Sequence, residues 1–173
     1  SVGFFTFLPV FLAGAGAHIA LSAGVISLAV PIGNVLAGLL VKGSSARLAM
    51  WLAMAGFATT AIAAIPAYGS GDQAIATSAM LVLAVAGGVT ASALFAALPF
   101  VVPAGGSPAI AIGLICQSGG IGTLIGPPLA AQIISAGGWS GFGSFLAAVA
   151  VGGVVCVAPL LRRAADGRSV AGR

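Results

Sequence analysis

The sequence predicts an all-α, polytopic membrane protein with six transmembrane helices, and three observations support that prediction. Hydrophobic residues make up 60% of the chain and charged residues 5%, whereas about a quarter of the residues in soluble domains are charged. Residues 73–161 contain no charged side chain, a stretch long enough for more than one crossing of about 20 residues. The apolar runs are continuous rather than alternating, so helices are favoured over a transmembrane β-barrel.

The few charges and the clusters of Gly, Pro and Ser divide the chain into spans. The first apolar run breaks best at Ala13–His18, and Lys42 and Arg47 share the loop that follows its second part. The long uncharged stretch breaks at Val101–Ala109 and again at Ser135–Gly141. The predicted six-helix domain at 1–161 consists of spans 2–15, 19–41, 49–68, 74–101, 109–134 and 142–161, and a basic tail at 162–173 follows it.

The basic residues predict the orientation, because cytoplasmic loops are enriched in Lys and Arg. Lys42 and Arg47 follow the second span, and the arginines of the tail follow the sixth. Both numbers are even, so the two basic regions lie on the same side. We therefore expect both termini in the cytoplasm and the helices in the plasma or inner membrane of the cell. Trp51, Tyr68 and Trp139 fall at predicted span ends, where amphipathic aromatic side chains anchor.

The fifth span carries its glycines in a helical pattern. At 100° per residue, Gly119, Gly122 and Gly126 fall on one face, and the last two form a GxxxG pair. Small residues allow membrane helices to approach closely, so this face predicts an interface with another helix. Pro127 and Pro128 each remove a backbone donor, which neighbouring helices or cavity water can compensate. The alternative is that Gly and Pro are simply commoner in membrane helices.

Polar side chains inside the spans are the candidates for a substrate cavity. Asn and Gln are expensive in hydrocarbon, so Asn34 and Gln117 should each face a partner group or water. Hydrogen bonds between helices would serve equally well, and Ser or Thr hydroxyls can bond the preceding helical turn. The candidate cavity residues are Asn34, Gln117, Thr6, Thr90, Ser92 and Ser118.

The sequence argues against catalysis, metal binding and nucleic-acid binding. An intramembrane serine protease would need a histidine on a span after its nucleophile, whereas the single histidine, His18, precedes the candidate serines. No cluster of metal ligands is visible, and no motif implies a cofactor. The basic residues are not interleaved with aromatic ones, as a nucleic-acid surface would require. We expect neither an enzyme nor a nucleic-acid partner.

Two stretches suggest an internal repeat. IGNVLAG at Ile32–Gly38 shares Ile, Gly, Leu and Ala in register with IGPPLAA at Ile125–Ala131. These stretches lie in the second and fifth spans, which are equivalent positions in a three-plus-three arrangement. The two spans would also run in opposite directions, as an inverted repeat requires.

Four motifs resemble parts of one transporter family. FFTFLPVFL (Phe4–Leu12) resembles a seventh helix, and GNVLAGLLVKGSSAR (Gly33–Arg47) resembles the end of an eighth helix with its basic loop. GTLIGPPLAA (Gly122–Ala131) resembles an eleventh helix, and GGWSGFGSF (Gly137–Phe145) the turn into a twelfth. In these motifs the chain resembles the C-terminal half of a major facilitator superfamily transporter. The loop departs from the family pattern, because the usual Gly-x-x-x-Asp-Arg core lacks its acid here.

The resemblance implies a permease that moves a small solute by alternating access. Spans one and four would line the central cavity, two and five would face an N-terminal six-helix half, and three and six would face lipid. The expected partners are therefore a small-molecule substrate, the lipid bilayer and that second half. The alternative function is a channel-like or structural membrane subunit without carrier activity.

Overall fold

The structure is a computed structural model that describes residues 9–11, 19–42, 45–102 and 106–170, with the backbone alone described for residues 19–22 and 162–170. Within these ranges the chain is helical and contains no strand, which confirms the all-α part of the predicted fold class, whereas the six spans and the inverted repeat stay predictions. The expected first span, 2–15, lies outside the described residues except for a helical segment at 9–11.

After the helical segment at 9–11, four longer helices follow one another along the described part of the chain. They are α1 (Ile19–Val41), α2 (Ala46–Gly69), α3 (Gln73–Val101) and α4 (Pro108–Val170). Each contains a stretch long and apolar enough to cross a membrane. The stretch in α4, Pro108–Leu161, has 54 residues, far more than the roughly 20 that one crossing needs.

Gly138 divides α4 into two segments. Its backbone has φ 66° and ψ −168°, a conformation that glycine alone adopts without strain. A Cβ added to Gly141 would lie 3.9 Å from the carbonyl oxygen of Ile133, although residues eight apart in a straight helix are separated by about 12 Å. The chain therefore bends back at Gly138, between segments that we call α4a (residues 108–137) and α4b (residues 139–170).

The helix α3 begins at a capped turn and packs against two neighbours. The Asp72 side chain accepts hydrogen bonds from the backbone N–H groups of Ala74 and Ile75, at 2.8 and 3.4 Å. Both α1 and α2 pack along α3 and barely touch each other. The contact with α1 is between backbones, because a Cβ on Gly33 would collide with the carbonyl oxygen of Val85 and one on Gly88 with that of Val30.

The segment α4b runs antiparallel to α2. A Cβ on Gly143 would lie 2.8 Å from the carbonyl oxygen of Ala64, and one on Gly153 would lie 2.5 Å from the Phe57 ring. Leu161 packs near Met50, at the start of α2. The expectation from the resemblance that span six meets lipid is therefore wrong at Gly153, where the side of the helix is covered by α2.

Two apolar clusters occupy opposite ends of the bundle. The larger joins α1, α2, α3 and both segments of α4 around Tyr68, Phe142, Met80 and Ala130. The smaller joins the C-terminus of α1, the N-terminus of α2, the C-terminus of α3 and Leu161 of α4b. All the described helices therefore meet at the Tyr68 end, whereas α4a is absent from the other cluster.

Candidate functional site

The segment α4a is exposed along most of its length. It joins the described core through Ala130, Ile133 and Ile134, near its C-terminal end. Upstream of these residues nearly every side chain is exposed, and Leu124 is 77% exposed. A helix of membrane length therefore leaves the bundle with most of its surface uncovered.

The small-residue face of α4a has no neighbour in the described part of the chain. A Cβ added to Gly119, Gly122 or Gly126 would meet no atom within 4 Å. The helix continues through Pro127 and Pro128, each of which lacks the N–H group that would bond the carbonyl four residues earlier. The sequence predicted a helix interface on this face, and no described helix supplies the second side.

Gln117 and Ser118 lie on the same segment, and both are exposed. The Ser118 hydroxyl donates to the carbonyl oxygen of Leu114 at 2.8 Å, so this residue is satisfied within its own helix. Gln117 makes no side-chain hydrogen bond with any described residue. On a helix its position is turned away from the Gly122 and Gly126 face, so its amide lies on another side of α4a.

Asn34 and Ser92 are the two candidates that the structure brings together. The Ser92 hydroxyl donates to Asn34 Oδ1 at 2.9 Å, in a partly buried position between α1 and α3. The close backbone approach at Gly33 and Gly88 allows these two short side chains to meet across the helices. This bond satisfies one polar atom of the amide, and it is the interhelical alternative that the sequence had left open for Asn34.

Thr90 has a packing role in this arrangement. It is buried, and its hydroxyl donates to the carbonyl oxygen of Ala86 at 2.7 Å, within its own helix. The Thr90 hydroxyl also lies directly against the backbone of Gly56, so that a Cβ added to Gly56 would collide with Thr90 Oγ1. Thr90 thus stabilises the contact between α2 and α3. Thr6 lies outside the described residues.

An aromatic cluster at the Gly138 bend is the feature that sequence reasoning missed. The Tyr68 ring stacks on Trp139 at 6.1 Å between centroids, and Phe11 and Phe142 meet it edge-on at 5.3 and 5.1 Å. Tyr68 is 4% exposed, and its hydroxyl has no hydrogen-bond partner among the residues that the structure describes. Tyr68 is therefore enclosed by protein, whereas its place at a span end predicted a side chain anchored at the membrane surface.

No protein-family model, no curated protein and no solved structure matches the chain. In the part of the chain that the structure describes, no three His, Cys, Asp or Glu side chains form a group that could hold a metal ion.

Proposed function

We propose that this chain is the C-terminal half of a twelve-helix permease of the major facilitator type, which moves a small solute by alternating access. In this proposal the chain crosses the plasma or inner membrane six times with both termini in the cytoplasm, and α4a and α4b are the fifth and sixth crossings. The observation that carries the proposal is the uncovered small-residue face of α4a.

The physical argument concerns what a membrane helix gains from a partner. Leu side chains meet lipid tails as favourably as they meet each other, so exposure of Leu124 to lipid needs no partner. Gly119, Gly122 and Gly126 offer instead a flat backbone surface, which gains van der Waals contact when a second helix approaches closely. The free amide of Gln117 also favours a polar group or cavity water. A six-helix N-terminal half would supply both.

Alternating access gives this surface a mechanical role. The interface between the two halves has to form in both the inward-open and the outward-open state. The difference between the interface free energies in these two states changes the ratio of their populations. A surface of small residues permits sliding and rocking, because no side chain interlocks across it. The prolines Pro127 and Pro128 weaken the backbone ladder of the same helix, so that it can bend as the halves move.

Photo-crosslinking tests the partner. A photoreactive amino acid at position 122 should crosslink, in native membranes, to a second six-helix membrane segment that peptide mass spectrometry identifies. The same group at Gly152 is the control, because that glycine is also free of neighbours within 4 Å but lies on α4b. Crosslinks from position 122 to residues of this chain, or to a second copy of it, would contradict the proposal and favour the channel-like or structural alternative.

A flux measurement tests the activity. This chain and the partner that the crosslink identifies are reconstituted together in proteoliposomes. The complex should show saturable uptake of one solute from a panel of small solutes. Gly122→Leu should slow that uptake about tenfold or more, since overpacking of an interface costs about 1–3 kcal/mol and 1.4 kcal/mol changes a population ratio tenfold. Gly152→Leu should leave uptake within a factor of two. Equal loss in both variants at equal expression would refute the interface.

A further inference from the structure

Four of the six basic residues of this chain are gathered at one end of the bundle. The smaller apolar cluster joins Val41, Met50 and Leu161. Lys42 directly follows the first of these residues and Arg47 precedes the second by less than one helical turn. Arg162 and Arg163 directly follow the third, in a helix that continues to Val170. The packing of the α1–α2 connection near the end of α4b thus brings four basic residues to the same end.

The charge at this end is strongly unbalanced. Asp72 lies at the other end of α3, so Asp166 is the one acid in the same region, and Arg168 lies close to it in sequence. Lys42 and Arg47 are exposed and make no ion pair with the described part of the chain. The charges of Lys42 and Arg47, which no side chain in the described part of the chain neutralises, are available to an anionic ligand.

An apolar surface adjoins these charges. On α2 the side chains of Leu48, Trp51, Ile62 and Ile65 are exposed at helical spacing, and Trp51 is 53% exposed. Arg47 lies one helical turn before Trp51 and on the same face of α2, since positions four apart share a helix face. It therefore stands at the N-terminal end of this apolar stripe. A ligand that used both features would carry a negative head and long apolar chains.

We propose that this end of the bundle binds an anionic phospholipid. The phosphate of its headgroup contacts Lys42 and Arg47, close to the Arg162–Arg163 turn, and its acyl chains lie along the stripe that begins at Leu48 and Trp51. An inorganic phosphate ion would use the charges but not the stripe, which is why the proposal commits to a lipid. Basic clusters beside membrane helices attract anionic headgroups with about 1 kcal/mol per residue, which corresponds to a factor of about five.

The two tryptophans provide a reporter and a control for this proposal. The chain contains two Trp residues, and Trp139 lies at the opposite end, in contact with Tyr68. The variant Trp139→Phe, reconstituted in phosphatidylcholine vesicles, therefore reports on Trp51 alone. A small fraction of lipid brominated in its acyl chains is added, either as phosphatidylglycerol or as phosphatidylcholine, and fluorescence quenching is measured.

We expect brominated phosphatidylglycerol to quench Trp51 at least several times more effectively than brominated phosphatidylcholine at the same mole fraction. Lys42→Gln and Arg47→Gln should each lower this preference about fivefold, and Arg47→Lys should retain it. In the Trp51→Phe variant, Trp139 should show no preference. Equal quenching of Trp51 by the two lipids would overturn the proposal. So would an unchanged preference for phosphatidylglycerol in the double variant Lys42→Gln/Arg47→Gln. Loss of the preference on adding millimolar inorganic phosphate at constant ionic strength would show an anion site rather than a lipid site.

Discussion

Tyr68 shows how one side chain can both stabilise and destabilise this fold. Its ring contacts Phe11, Trp139 and Phe142, and aromatic pairs of this kind contribute about 0.5–1.5 kcal/mol each beyond their burial. Its hydroxyl is buried and has no hydrogen-bond partner in the described ranges, and an unsatisfied buried polar group costs about 1–3 kcal/mol. The ring and the hydroxyl therefore act in opposite directions.

Removal of the hydroxyl should stabilise the protein. Tyr68→Phe keeps all three ring contacts and eliminates the unsatisfied group, so we expect a gain of about 1 kcal/mol, or roughly 2–4 °C in the thermal midpoint for a chain of this size. Scanning fluorimetry in detergent would measure it. Tyr68→Leu is the control, which loses the ring contacts and should lower the midpoint. A lower midpoint for Tyr68→Phe would show that the hydroxyl has a partner.

Residue roles were partly predictable from the sequence. Asn34 stood out because an amide is expensive in hydrocarbon, yet its bond to Ser92 joins positions 58 apart, and no local pattern encodes which helix lies opposite. Trp139 and Tyr68 were recognised as aromatic residues near span ends. Their mutual contact depends on the bend at Gly138 and on the packing of α4b against α2, which are long-range features.

At the scale of elements, the contact between α2 and α4b is set by glycines. Gly143 allows α4b to approach the carbonyl oxygen of Ala64, and Gly153 accommodates the ring of Phe57. The neighbouring Gly152 has no atom within 4 Å of its added Cβ. Two adjacent glycines of one helix therefore have opposite environments, and they form a matched pair for substitution.

Gly153→Leu should destabilise the chain by about 1–3 kcal/mol, because its side chain overlaps the Phe57 ring and overpacking costs about this much. Gly152→Leu should change the stability by less than about 0.5 kcal/mol, as expected for a substitution away from any contact. Thermal or denaturant unfolding in detergent would measure both. The double variant Phe57→Ala/Gly153→Leu should recover part of the loss. Equal effects of the two Leu variants would mean that α4b does not pack on α2 through this face.

Helix ends were easier to predict than helix contacts. The sequence predicted a helix at 19–41, and α1 extends from Ile19 to Val41. The cluster SAGGWSG, taken as a turn, contains the bend at Gly138. Helix ends depend on nearby residues, so charged residues and clusters of Gly or Pro indicate them in the sequence. The helices are apolar on every side, so no amphipathic stripe indicates which face contacts which neighbour.

At the scale of the whole molecule, the two ends of the bundle differ in charge and in packing. One end gathers Lys42, Arg47 and the start of the 162–170 segment around the smaller apolar cluster. The other holds Asp72, the aromatic cluster and the bend at Gly138. This polarity follows from where the helices end, and it predicts how the protein is oriented in a membrane.

The basic end should face the cytoplasm, because Lys and Arg are retained on that side during insertion. Single cysteines at Ser45, Gly71 and Gly137 report the orientation, since all three positions are exposed outside or at the ends of the apolar helices. The native Cys116 and Cys156 are replaced by Ala first, because both are free. A membrane-impermeant maleimide added to intact cells should label positions 71 and 137. It should label position 45 only when the cells have been permeabilised. Labelling of position 45 from outside would reverse the orientation. Opposite accessibility of positions 71 and 137 would contradict the fold itself, because Tyr68 and Trp139, which lie beside them in the chain, are in contact.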